Sequence, residues 1–156
     1  MIERKGVDIA SQACEAAGVK LIMAGSGSYI PSYGTYIGEI SGLEKSRLIS
    51  GATAMFAPTI YQEPFCNSHI EALASGTPVI STDLGIFTET IKNGFNGYRC
   101  NTLAEFVQAT EDVKKLKPRE IATDAFEKYS TNMIRYKYER YFNRLLSLWD
   151  KGWYSL

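Results

Sequence analysis

Two glutamates with seven residues between them, Glu63 and Glu71, mark the stretch best supplied for chemistry. They fall in the run from Tyr61 to Ile80, which also holds Cys66 and the only histidine, His69. A pair of carboxylates suits two tasks: acting as a general acid and base, or accepting hydrogen bonds side by side from ligand hydroxyls. His69 has the pKa range of a general base, but it lies one residue off the apolar stripe of Ile70, Leu73 and Ala74 and has no neighbouring nucleophile, so no catalytic role is assigned to it. Cys66 stands at a helix start, where a thiolate would be stabilised; a small side chain turned to the buried side is the better reading. Ser68-His69-Ile70-Glu71 also has the pattern of a capping box, in which the hydroxyl bonds the Glu71 amide and the carboxylate reaches back to the Ser68 amide. Taken alone, that tetrapeptide favours the structural role.

The elements around this run must position it. Thr53-Ala54-Met55-Phe56-Ala57 is a short apolar strand closed by Pro58, and Ile70, Leu73 and Ala74 have helical spacing, so the motif is a strand, a loop and a helix start, with Glu63 in the loop and Glu71 just inside the helix. Gly76-Thr77-Pro78 stops that helix, and Val79 to Thr82 begins the next strand. Upstream, Val7 to Ala17 reads as a helix closed by Gly18, then come a strand from Val19 to Ala24, a short strand from Thr35 to Gly38, and a helix from Leu43 to Ser50. Downstream, the pattern gives a short helix from Phe87 to Lys92, a strand from Gly97 to Cys100, and helices over Thr102 to Leu116, Pro118 to Tyr129 and Asn132 to Trp149. Short apolar strands alternating with helices predict an α/β fold, a Rossmann-like parallel sheet with helices on both faces, ending in C-terminal helices. In such a sheet the loop holding Glu63 lies at the carboxyl end of the strands, where ligands bind.

At 156 residues the chain has the length of one domain, with residues 1–117 as core and 118–156 as C-terminal helices. Lys plus Arg and Asp plus Glu are equal at 17 each, so there is no long-range positive field to favour nucleic acid. Cys14, Cys66 and Cys100 are odd in number and widely spaced, unlike a zinc site or a disulfide framework, and a reducing cytoplasm is the natural location. No apolar run approaches a membrane span, so any membrane contact would be peripheral. Arg135, Lys137, Arg140 and Arg144 lie on the aromatic last helix; this face could meet an anionic surface, stay solvated, or dock on another domain.

The order of motifs goes further. Lys5-Gly6 opening a helix, Ala24-Gly25-Ser26-Gly27, Tyr36-Ile37-Gly38, Glu63-Pro64-Phe65 to Glu71-Ala72, and Gly76-Thr77-Pro78-Val79-Ile80 together resemble the nucleotide-sugar domain of GT-B glycosyltransferases of family 4. The resemblance runs from Lys5 to about Thr110, and its specific part is the Glu-x7-Glu motif followed by Ala-x-Ala-x-Gly-x-Pro-Val. It implies that Glu71 grips the ribose hydroxyls of a nucleotide-diphosphate sugar and that Glu63 lies near the sugar ring. It places the backbone of Phe65, Cys66 and Asn67 against the sugar and diphosphate, at a helix N-terminus that attracts anions. It makes Lys5 the cation that neutralises the departing diphosphate, and puts Gly38, Glu39 and Ile40 near the base. With the whole motif in view, ribose binding by Glu71 outweighs the capping box, and both can operate in turn as the site fills and empties.

The resemblance implies a retaining hexosyl transfer from that donor to an acceptor hydroxyl, with no metal and no cofactor beyond the donor itself. The alternatives are a non-catalytic remnant that binds a nucleotide sugar or a partner chain, or another GT-B enzyme such as an epimerase. Three departures accompany it. Cys66 stands where the family has Gly; the usual phosphate-binding arginine, and the strand that carries it, would precede Met1; and an N-terminal acceptor domain of glycan, lipid or protein specificity is expected outside these residues. The isolated chain is therefore expected to be weak or inactive, and its exposed sheet edges are expected either to draw in the first residues or to invite self-association.

Overall fold

The computed structural model describes residues 2–150, with side chains to residue 148. Among the described residues five strands and seven α-helices follow one another in the expected order. The strands are β1 (Ile22–Met23), β2 (Thr35–Tyr36), β3 (Met55–Ala57), β4 (Val79–Thr82) and β5 (Gly97–Cys100). The helices are α1 (Val7–Ala17), α2 (Gly42–Ser50), α3 (Asn67–Ala74), α4 (Phe87–Thr90), α5 (Leu103–Asp112), α6 (Pro118–Tyr129) and α7 (Thr131–Asp150).

All pairing is parallel. β3, β4 and β5 form one sheet, with Met55 opposite Val79 and Val79 opposite Gly97. β1 and β2 form another, with Ile22 opposite Thr35. Among the described residues no strand joins β1 to β3, and the segment before α1 is a 3-10 turn over Glu3–Lys5 rather than a strand. The expected strands Val19 to Ala24, Thr35 to Gly38 and Thr53 to Ala57 are correspondingly trimmed to two or three paired residues each. β1 and β3 each have one unpaired edge, and a strand without a neighbour has nothing to hold its ends extended.

The core explains why the sheet is covered on both faces. β4 is buried along its whole length, and its side chains alternate between two clusters. Val79 packs with Ala57, Ala72, Leu73, Phe87, Ile121 and Ala125 on the side of α3 and α6. Ile80 packs with Ala13, Cys100, Phe106, Ala109 and Val113 on the side of α1 and α5. A third cluster puts Val7, Ala10 and Cys14 of α1 over Leu21 and Met23, with Phe56 of β3 against it. One helix therefore bridges both sheets, and it holds them together where hydrogen bonds do not.

Helix ends follow side-chain chemistry. The capping box forms at Thr102 and Glu105, where the Glu105 amide donates to the Thr102 hydroxyl and the Thr102 amide to the carboxylate. The helix predicted to reach Lys92 stops at Thr90 because Asn96 captures the backbone, accepting from the Lys92 amide and donating to the Thr90 carbonyl. The predicted helix over Thr102 to Leu116 tightens into a 3-10 turn at Val113–Lys115. On α7, Tyr138, Tyr141, Phe142 and Leu146 are more than half exposed; Trp149 of the predicted aromatic stripe lies outside the described side chains.

His69 belongs to this core. It is fully buried in α3 between the rings of Phe65 and Phe87, at 6.2 and 5.2 Å between centroids. Thr90 Oγ1 lies 2.9 Å from His69 Nε2 and also donates to the Ile86 carbonyl. Nδ1 is buried without a partner among the described residues. Burial pulls the His69 pKa below its ordinary value, against weaker opposing effects of the Cys66 backbone and the Glu63 charge.

Two predictions follow from packing. Because folding lowers the His69 pKa, its neutral form contributes stability fully above the unfolded value near 6.5, and that contribution is lost as pH falls below it. His69→Gln should therefore melt earlier than the wild type at about pH 7.5, with the gap narrowing by about pH 5.5. Melting curves that stay parallel would contradict a buried neutral imidazole. Gly6 and Gly18 both have positive φ, at 68° and 64°, but a Cβ on Gly6 would lie 1.8 Å from the Pro58 carbonyl oxygen whereas one on Gly18 meets nothing. In urea titrations Gly18→Ala should cost about 1 kcal/mol and Gly6→Ala about 3 kcal/mol or more. Equal losses would refute the close approach.

Candidate functional site

The loop after β3 is clamped from two sides. On one side the 3-10 turn reaches it: the Ile60 amide donates to the Arg4 carbonyl at 3.0 Å, and Gly6 lies against Pro58. On the other, the Gly85 amide donates to Gln62 Oε1 at 2.8 Å and the Ile86 amide to the Glu63 carbonyl at 2.9 Å. A Cβ on Gly85 would lie 2.4 Å from the Glu63 carbonyl oxygen, so only glycine allows this second clamp. Thr82 Oγ1 donates to the Thr59 carbonyl from β4 and completes the fixation.

The double clamp brings Lys5 to Glu63 across 58 positions of sequence, with Nζ 2.5 Å from Oε2. Tyr61 joins them: its hydroxyl accepts from Lys5 at 2.7 Å and donates to the same Glu63 oxygen at 2.6 Å. Glu63 is 5% exposed, a buried charge with two donors on one oxygen. Its burial favours the neutral acid, but the bonds from Lys5 and Tyr61, with the charges of Lys5 and Arg4, outweigh that and hold the carboxyl below its usual range. Lys5 is the counterpart: burial lowers its pKa, and its bonds to Glu63 and Tyr61 more than restore it. An ionised Glu63 beside a charged Lys5 is a fixed electrostatic element rather than a proton donor.

Glu71 lies apart from this group. α3 begins at Asn67 with Cys66 as its N-cap, so Ser68 and Glu71 are already inside the helix and the capping box expected there does not form. Glu71 is instead half exposed and paired with Lys45 of α2, Nζ to Oε2 2.5 Å. The N-cap Cys66 makes no side-chain capping bond to α3, and the His69 amide donates to the Cys66 carbonyl at 3.2 Å; Asn67 and Ser68 open the helix, whose dipole favours an anion there. Phe65 is 51% exposed at this edge.

Cys66 has φ −116° and ψ 99°, ordinary extended backbone, so a side chain fits there without strain. Burial pushes its thiol up, which removes the thiolate expected of a nucleophile. Gly38 takes φ 84° and its carbonyl accepts from the Gly25 amide at 2.9 Å, tying together the loops that leave β1 and β2. Among the described residues no hydrogen bond or ion pair links Gly38, Glu39 or Ile40 to Glu63 or Glu71; they lie at the entrance to α2, which supplies Lys45. The site thus has two charged ends, Lys5 with Glu63 and Lys45 with Glu71, flanking an uncapped helix start. Sequence reasoning missed Tyr61, Arg4 and Lys45. Tyr61 lay inside the motif run, but no spacing rule marks a residue whose partner arrives from the far end of the chain.

Comparisons with known proteins identify the family and the fold. The sequence profile of the family described as glycosyl transferases group 1 matches residues 1–140. Spore coat protein SA of Bacillus subtilis is 27% identical over 120 residues, 76% of this chain and 32% of that protein. The O-antigen chain mannosyltransferase RfbU of Salmonella typhimurium is 30% identical over 105 residues, 67% of this chain and 28% of that one. The chain thus spans about a third of the length of these relatives. Among solved structures, AviGT4, a glycosyltransferase involved in avilamycin A biosynthesis, superposes with a TM-score of 0.78 at 24% identity, covering 92% of this chain and 48% of its own. That likeness shows the fold, one half of a GT-B architecture. The match over residues 1–140 takes in every strand and the whole site, and on it the chain belongs to the glycosyl transferases group 1 family.

Proposed function

We propose that this chain is the donor-binding half of a retaining glycosyltransferase that takes a nucleotide-diphosphate sugar and passes a hexosyl unit to an acceptor hydroxyl. The observation that carries the reading is the Lys5–Glu63 pair, held 2.5 Å apart next to an uncapped α3 N-terminus. A diphosphate is favoured by positive charge beside a helix start, and Lys5 near the start of α3 supports that reading. The structural neighbour HepE from Anabaena, whose fold superposes with a TM-score of 0.72, was solved in complex with UDP-glucose.

In this reading Phe65, Cys66 and Asn67 offer their amides to the diphosphate, and Lys5 turns from Glu63 to the phosphate oxygens. As the glycosidic bond to the donor breaks, negative charge builds on the leaving diphosphate, and a cation already in place stabilises it without reorganising. Glu63 keeps Lys5 oriented in the empty site and faces the sugar in the filled one. Glu71 leaves Lys45 and accepts two ribose hydroxyls side by side, a geometry suited to a carboxylate. Gly38, Glu39 and Ile40 border the base. The acceptor and its specificity come from a further domain. The three free thiols suit a reducing compartment, and the cytoplasm is the proposed location.

UDP titrated into the chain by calorimetry tests the ribose role. Glu71→Gln should weaken binding about ten-fold or more, the effect of losing a hydrogen bond to a charged group. Lys45→Ala should bind UDP at least as well as the wild type, since its ammonium competes for the same carboxylate. Unchanged affinity in Glu71→Gln would remove Glu71 from the site.

A further inference from the structure

Lys5 has to change partners if it is to meet a diphosphate, and the structure shows what would be left behind. Glu63 is 5% exposed, and its Oε2 receives both Lys5 and Tyr61. An ammonium that departs from a buried carboxylate leaves an uncompensated charge, one of the most costly defects inside a protein. Tyr61 is half-buried yet belongs to none of the three hydrophobic clusters, so packing does not account for it. We propose that Tyr61 is a positioning residue of the donor site: its hydroxyl holds Lys5 against Glu63 when the site is empty and stays on Glu63 when Lys5 turns to phosphate. This inference rests on the donor-binding reading above and adds to it a residue that the reading does not use.

The geometry suits a hydroxyl and no other neutral group of that shape. Tyr61, Lys5 and Glu63 form a closed triangle with sides of 2.7, 2.6 and 2.5 Å. A phenol can accept from an ammonium and donate to a carboxylate at the same time, so it bridges the pair rather than competing with it. When the ammonium leaves, the donated bond remains and keeps the carboxylate ionised and fixed. The ring has a second role. Arg4 and Lys5 lie 5.4 and 5.1 Å from its centroid, within range of a cation–π attraction, so both cations stay beside the site after the ion pair opens. Arg4 also acts on the Glu63 carboxyl through its charge but makes no hydrogen bond to it, and Cys66 and His69 on the α3 side are neutral, so among the described residues the Tyr61 hydroxyl is the donor left on Oε2 when Lys5 departs.

Tyr61→Phe keeps the ring and removes only the hydroxyl. In the ligand-free protein, with glutamate side chains labelled with carbon-13, the Glu63 carboxyl should titrate about one pH unit higher in the variant than in the wild type. A residue with a merely structural role would leave that midpoint in place. UDP affinity at neutral pH should fall about five-fold, while the melting temperature stays close to that of the wild type. Tyr61→Leu, which also removes the ring, should bind UDP more weakly still. An unchanged Glu63 midpoint in Tyr61→Phe, with UDP binding intact in both proteins, would overturn the role of Tyr61 alone. A wild-type chain that binds none of UDP, GDP or ADP at millimolar concentration would overturn the donor site itself, and Tyr61 as part of it, whatever the Glu63 titration shows.

Discussion

The fold turns on a contact between two backbones. Gly6 lies so close to Pro58 that no side chain fits between them, and the Arg4 carbonyl accepts from the Ile60 amide beside it. That contact seats the start of α1 against the end of β3 and carries Lys5 to Glu63. A cation from the first residues and an anion from the middle of the chain then share one buried position, which neither stretch could hold alone. The same glycine starts α1, whose residues cover both sheets, so the packing of the fold and the assembly of the site depend on one conformation.

The rigid reference for everything else is β4. Buried on both faces and paired on both edges, it fixes β3 and β5 and anchors Thr59 through Thr82. The site is built on the ends that β4 holds still, the loop after β3 and the Gly85 turn. β1 and β2 are different. They pair only with each other and reach the larger sheet through α1 and Phe56, so their loops, Gly38 among them, are attached by side-chain packing rather than by a ladder of hydrogen bonds. The structure is therefore held more firmly at Glu63 than at Gly38.

How much of this was legible in the sequence depends on the distance between partners. Helices such as α1 and α6 have matching limits in pattern and structure, because an apolar stripe, a closing Gly18 and an opening Pro118 are local signals. The alternation that predicts coverage on both faces reappears in Val79 and Ile80, which face opposite clusters. The lengths of β1, β2 and β3 were overestimated because a strand ends where its neighbour does, and β1 and β3 lack one on their facing edges, whereas β4 and β5 match their expected limits. Ser68 and Glu71 had the capping pattern, but the helix begins earlier and Lys45, distant in sequence, takes the carboxylate. Glu63 was legible from its motif as a candidate site residue. Its dependence on Tyr61 and on Lys5 was not, since that depends on how the chain closes on itself.

The proposed donor site draws Lys5 and Lys45 to the loop and helix after β3, and a ligand there would exchange the ion pairs they make with Glu63 and Glu71. The most direct measurement is a titration of the nitrogen-15-labelled chain with UDP, followed by amide chemical shifts. The account predicts shifts concentrated at Lys5, Gly6, Phe65, Cys66, Asn67 and Glu71, with Lys45 moving as its partner is withdrawn. Shifts confined to the α6 and α7 surface, or none at all with millimolar UDP, GDP or ADP, would contradict it.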